Sequence, residues 1–119
     1  MIKEKAMELI QALRSGNYKQ GKGCLRREDK YCLMGVACDL YDPNLWSSIG
    51  SFYHYNGERS LLPKQVIEYY GFHSSTGDLR TEDLIAISDK ELFCLTHAND
   101  MGITFDQLAD YIEQNWHLL

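Results

Sequence analysis

Tyr18, Lys19, Gln20, Lys22, Arg26, Arg27 and Lys30 set cations, an aromatic ring and an amide among Gly16, Gly21 and Gly23. That mixture suits the capture of an anion. Arginine forks pair phosphate bidentately, backbone N–H groups in glycine turns form anion nests, and a tyrosine ring can stack on a base. Tyr53, beside His54 and Tyr55, adds an aromatic wall to the candidate site. The expected ligand is an anionic, nucleotide-like molecule held without chemical turnover. The competing reading is intramolecular: the same cations neutralise carboxylates elsewhere in the chain.

Other chemistries fit less well. Gly16-x4-Gly21-Lys22-Gly23 has the lysine of a phosphate loop but no following Ser or Thr for magnesium. It also follows a helical pattern instead of a strand, so no nucleotide-cofactor fingerprint is present. Cys94-x-x-His97 would put two metal ligands on one helical face, yet Cys24, Cys32 and Cys38 form no paired knuckle and no metal site is assigned. No local signature joins a cysteine to His54, His73, His97 or His117, and a small hydrolase with a spatial Cys–His pair remains an alternative. Ala98, Gly102 and Leu108 have the spacing of a helix-turn-helix. The second helix would then present Asp106, Gln107, Asp110 and Glu113, and no Lys or Arg occurs from 91 to 119. Phosphate contacts need cations, so direct DNA reading is disfavoured. The acid-rich pairs Glu82-Asp83 and Asn99-Asp100 read as solvated turn or helix-end residues.

Charge is unevenly spread. The formal net charge is -5 over 119 residues, but residues 1–30 carry eight Lys/Arg against four Asp/Glu and residues 31–119 carry four against thirteen. An acidic body bearing one basic segment argues against a general nucleic-acid binder and for a single local anion surface. The acidic remainder supports a second function class, a protein–protein inhibitor that offers Asp106, Asp110 and Glu113 to a basic nuclease or defence effector. No apolar run reaches the ~18 residues of a membrane span. The opening MIKEKAMELIQAL lacks the apolar core of a signal peptide. A cytoplasmic protein with reduced thiols is expected.

The elements that must position these residues follow from periodicity. Ala6, Met7, Leu9, Ile10 and Leu13 predict a helix over 3–15, stopped by Gly16. Residues 16–30 read as a long polar connection, with Cys24-Leu25-Arg26 as a short strand. Tyr31 to Tyr41 predicts a central buried helix in which Gly35 admits a close neighbour, ended by Asp42-Pro43. Asn56-Gly57 predicts a hairpin turn joining Phe52–Tyr55 to Glu58–Leu61. Pro63 opens a helix that Gly71 closes, and Leu84 to Ile87 forms a short strand. Ser88-Asp89-Lys90-Glu91 and Thr104-Phe105-Asp106-Gln107 read as capping boxes of a helical hairpin, 89–101 and 105–117. Its core face would hold Leu92, Phe93, Leu95, Met101, Phe105, Leu108 and Ile112. The sum is one α+β domain over 1–119, compact and mostly helical, with four or five helices, a small antiparallel β-hairpin and a C-terminal helical hairpin.

The chain resembles a family of small proteins from bacteriophages and bacterial mobile elements. The matching positions are Ala12 to Gly16, Tyr18 to Gly21, Gly23, Leu25-Arg26, Tyr31 to Leu40, Leu62-Pro63, and Asn99-Asp100-Met101-Gly102-x-Thr104-Phe105. The resemblance brings no catalytic residues with it. It implies an accessory role in a bacterial host, such as sequestering a nucleotide immune signal or blocking a host defence protein. A homo-oligomer that shares Trp46 or Trp116 between chains is compatible with it.

Overall fold

The run from Leu33 to Tyr41 is too apolar to face water, and in a computed structural model describing residues 1–119 it is the buried helix α2, with Leu33 to Cys38 all inaccessible. Four other helices surround it: α1 (Lys3–Arg14), α3 (Lys64–Tyr70), α4 (Leu95–Asp100) and α5 (Phe105–Asn115). Helix α1 buries Ala6, Leu9, Ile10 and Leu13, the stripe its periodicity predicts, and packs chiefly on α5. Arg14 closes the exposed side of that pair by reaching Asp110 at 2.6 Å and Glu113 at 3.2 Å. Helix α3 begins after Pro63 and ends at Gly71, whose φ of 71° is the left-handed conformation such a stop requires. No helix is long and apolar enough to cross a membrane. The chain is a single α+β domain.

The segment expected to be a long polar loop is instead half of a sheet. Short strands β1 (Lys19–Gln20), β2 (Arg26–Arg27) and β3 (Lys30–Tyr31) join β4 (Trp46–Ile49) and β5 (Phe52–Tyr55) in the order β1-β3-β2-β5-β4. Only the β1–β3 pair is parallel. Two-residue strands with charged side chains carry almost no local signal, so neighbours decide them. The short strand expected at Cys24-Leu25-Arg26 begins two positions later, at Arg26–Arg27, because Leu25 turns inward and is fully buried.

The hairpin also differs from expectation. Asn56 and Gly57 do take positive φ, 49° and 86°, and Tyr55 and Glu58 exchange backbone hydrogen bonds of 2.8 and 3.0 Å. The chain then leaves the ladder, because the Arg59 carbonyl is used by the N–H of Leu25 at 2.8 Å. Phe52–Tyr55 pairs backwards with Trp46–Ile49 around Gly50-Ser51, giving a strand where Trp-Ser-Ser-Ile lacks the alternation that would announce one.

The C-terminal hairpin is shorter than predicted. Ser88 and Asp89, with φ of 52° and 62°, form the turn between β6 (Ile85–Ile87) and β7 (Lys90–Leu92) and do not cap a helix. Helix α4 starts only at Leu95, where the Cys94 thiol accepts the His97 N–H at 3.4 Å. Phe93 and Met101, expected in the core, are 72% and 52% exposed. The second box is present: Thr104 and Gln107 cap each other's backbone at 3.2 and 3.0 Å.

Gly35 supplies the closest approach in the core. Its α-carbon abuts the Leu25 carbonyl, and an added Cβ would overlap that oxygen, which also accepts the Cys32 N–H at 3.1 Å. The basic segment is thereby held flat against α2. Gly35→Ala should lower the unfolding free energy by at least ~2 kcal/mol, the overpacking range; an unchanged urea midpoint would contradict the contact.

Candidate anion-binding site

Strands β1, β2 and β3 and the turns between them enclose a recess of about 560 Å³ lined by Gln20, Gly21, Lys22, Cys24, Arg27, Glu28 and Lys30. Three cations face one carboxylate there. No Asp or Glu oxygen lies within 4.0 Å of Lys22, Arg27 or Lys30, whereas Lys19 pairs with Asp29 at 2.8 Å. That contact lowers the Asp29 carboxyl and raises the Lys19 ammonium, the ordinary behaviour of an exposed pair. Self-neutralisation therefore accounts for Lys19 and not for its neighbours. Glu28 adds local strain, holding φ at 54° in the tight turn between β2 and β3 without being glycine. Such outliers cost of order 1 kcal/mol and cluster at functional sites.

The predicted residues separate into two groups on opposite faces of the sheet. Lys22 and Arg27 meet at the recess, joined by Lys30, with Lys19 beside Lys30 on the same face; Gln20 borders the recess but, aligned with Tyr31, sends its side chain to the opposite face. Arg26 points to the other face. Its guanidinium sits 3.8 Å from the Tyr53 ring centre, 4.9 Å from Tyr31 and 5.5 Å from Trp46, while its Nε donates to the Glu28 carbonyl at 3.1 Å. Tyr18 belongs to this second group. Its ring meets Tyr31 edge-on at 5.1 Å and its hydroxyl donates to Asp39 at 2.6 Å. The other Asp39 oxygen accepts from the Trp46 indole at 3.0 Å. Burial, followed by the Asp39 contact, pushes the Tyr18 phenol far above its usual range. Tyr31, Trp46 and Tyr53 thus form an aromatic box filled by the Arg26 guanidinium, and Tyr18 buttresses it through Tyr31.

What holds the recess in place is a set of residues first read as solvent-facing. Asn99 is 0% exposed and is the one buried polar side chain of the protein. Its Oδ1 accepts from Gln20 Nε2 at 2.9 Å and from the Leu33 N–H at the start of α2 at 3.2 Å. Its Nδ2 donates to the Gly21 carbonyl at 2.8 Å. Asp100 then accepts the Gly23 N–H at 3.0 Å. Gln20 answers from the other side, donating to the Ile103 carbonyl at 2.8 Å and accepting the Phe105 N–H at 3.0 Å. The Gln20 amide is fully engaged by these partners, so it shapes the wall and leaves ligand contact to the cations. The Asn99-Asp100 and Tyr18-x-Gln20-Gly21 pieces of the sequence signalled this lock only as separate fragments. Their meeting across 79 positions is a tertiary fact.

Thiol and imidazole chemistry finds no constellation here. Cys24, Cys32, Cys38 and Cys94 are all free and buried. Burial raises Cys24 even though Arg59 and Arg27 oppose the shift, and it pushes Cys32 to about 12. His97 Nδ1 accepts the Phe93 N–H at 3.1 Å. No three His, Cys, Asp or Glu side chains converge to hold a metal ion.

Two measurements test this geometry. Asn99→Ala leaves the Gly21 carbonyl, the Leu33 N–H and the Gln20 amide short of partners and should cost about 3 kcal/mol, since orphaned buried groups are worth ~1–3 kcal/mol each; a loss under ~1 kcal/mol in urea unfolding would contradict the lock. The Cys32 thiol keeps its proton when folded at pH values where the unfolded thiol, with an ordinary value of 9.0, has lost it. Stability should accordingly be complete below pH 9 and decline as pH climbs toward 12. Cys32→Ser should lessen that decline in a pH series of denaturant midpoints, the remainder belonging to Cys38 and the buried tyrosines, which burial raises in the same direction.

No curated protein and no solved structure matches the chain. One family model does, over residues 1–116, and it covers the recess, the aromatic box and the Asn99 lock together. The chain belongs to the family described as a domain of unknown function, DUF8296.

Proposed function

We propose that this protein is a non-enzymatic binding protein whose recess takes an anionic, nucleotide-like ligand. The observation that carries the reading is the set Lys22, Arg27 and Lys30, unpaired around one cavity of about 560 Å³ in a chain of net charge -5. A protein with seventeen carboxylates has ample means to neutralise three cations internally. It spends Asp29 on Lys19, and Asp110 and Glu113 on Arg14, and leaves these three uncovered. Close like charges raise the free energy of the empty state, and a bound anion relieves it. The rigid frame supports the same reading, because the Asn99 and Asp100 contacts fix the backbone that carries the cations before a ligand arrives.

In its biological setting the protein is a phage-type accessory of the bacterial cytoplasm that sequesters a nucleotide signal of host defence. The acidic-helix reading is less well supported. Of Asp106, Asp110 and Glu113, the latter two already hold Arg14, so α5 offers a basic partner mainly Asp106.

Equilibrium dialysis against ATP at ~50 mM salt tests the proposal. The wild type should bind saturably, more weakly as salt is raised. Lys22→Glu with Arg27→Glu should weaken binding at least tenfold without changing the melting temperature by more than a few degrees. Binding that survives the double reversal would place the ligand elsewhere and end this account of the recess.

A further inference from the structure

The cationic surface continues beyond the recess. Arg27 and Phe52 are cross-strand partners on β2 and β5, so their side chains rise from the same face of the sheet. The Phe52 ring stands 5.1 Å from the Arg27 guanidinium and 3.9 Å from that of Arg59. Arg59 is brought there by its carbonyl, which accepts the Leu25 N–H at 2.8 Å, next to Cys24 in the recess wall. No carboxylate lies within 4.0 Å of Arg59 either. A guanidinium resting on an aromatic face keeps its N–H edge free for a second partner, and the ring fixes its direction. Phe52 therefore orders two like charges that repel each other.

Across the sheet the order is Lys30, Arg27, then Phe52 with Arg59. Those positions span two strand spacings, roughly 10 Å. One phosphate engages one fork and its immediate neighbours. It would leave one end of the row uncompensated. We infer that the recess and the Arg27–Phe52–Arg59 sandwich form one continuous track, and that its ligand carries phosphates in tandem. One phosphate lies against Lys22 and Lys30 and the next against Arg27 and Arg59. This rests on the anion-binding reading above and narrows it to an oligophosphate, either the polyphosphate of a nucleotide or the backbone of a short single strand.

The test is calorimetric titration of the full chain at fixed low salt with inorganic phosphate, AMP, inorganic tripolyphosphate and a five-residue oligothymidylate. Tripolyphosphate or the oligonucleotide should bind at least fivefold more tightly than phosphate and AMP, and whichever is tighter identifies the source of the tandem charge. Arg59→Gln should bring that ratio to about one while leaving AMP binding within twofold. Phe52→Leu should do the same and Phe52→Tyr should restore the ratio, which a merely structural role for the ring would not produce. A wild-type ratio below fivefold, or a ratio that Arg59→Gln leaves intact, overturns the tandem inference and spares the simpler reading. Failure of the wild type to bind any of the four anions overturns both.

Discussion

The side-chain amide of Asn99 is the contact on which the rest of the arrangement depends. A buried amide must find partners for its donors and acceptors or cost several kcal/mol. Here those partners come from two separate places: Gln20 on β1 with the adjoining Gly21, and Leu33 at the first turn of α2. No local rule would hold a two-residue strand such as β1 to the sheet. The Asn99 contacts fix it, the parallel pairing with β3 follows, and the turn bearing Lys22 and Gly23 is left with little freedom. Gly35 works toward the same end from below, since only a residue without a Cβ lets α2 touch the Leu25 carbonyl. A polar lock above and a close backbone approach beneath give a charged segment a defined shape.

The sheet then sorts its cations by face. Arg26 is enclosed by Tyr31, Trp46 and Tyr53, where cation–π attraction compensates for the absence of a carboxylate. Neighbouring Arg27 points the opposite way because successive strand residues alternate. One arginine is thereby structural and the other available. The difference arises from a single position in register, and a one-residue slip of β2 would exchange the two.

Much of the helical fold was legible from sequence. The periodicity of Ala6 to Leu13, the proline and glycine bounding α3, and the Thr104–Gln107 box each act within a few residues, so a local reading finds them. The strands were hidden for the converse reason. Lys19–Gln20, Arg26–Arg27 and Lys30–Tyr31 are pairs of polar residues made extended by distant neighbours. Ser88-Asp89-Lys90-Glu91 misled because a serine followed by a glutamate also suits a tight hairpin turn, and flanking Ile87 and Leu92 favour the strands. Asn99-Asp100 looked solvated by composition alone, although both side chains are occupied by the glycine turn some 77 positions away. At the recess, residue types marked the segment that lines it, but the sheet decided which of its cations share a surface.

Membership of the DUF8296 family identifies the chain without assigning it an activity, so the claim stands on the unpaired cations of the recess. The most direct measurement is a residue-resolved ¹H–¹⁵N titration with inorganic pyrophosphate at low salt. Saturable shifts confined to the amides from Gly21 to Lys30, with Phe52 and Arg59 following, are the predicted result. An unchanged spectrum, or shifts centred on α5 with the glycine turn silent, would contradict the account.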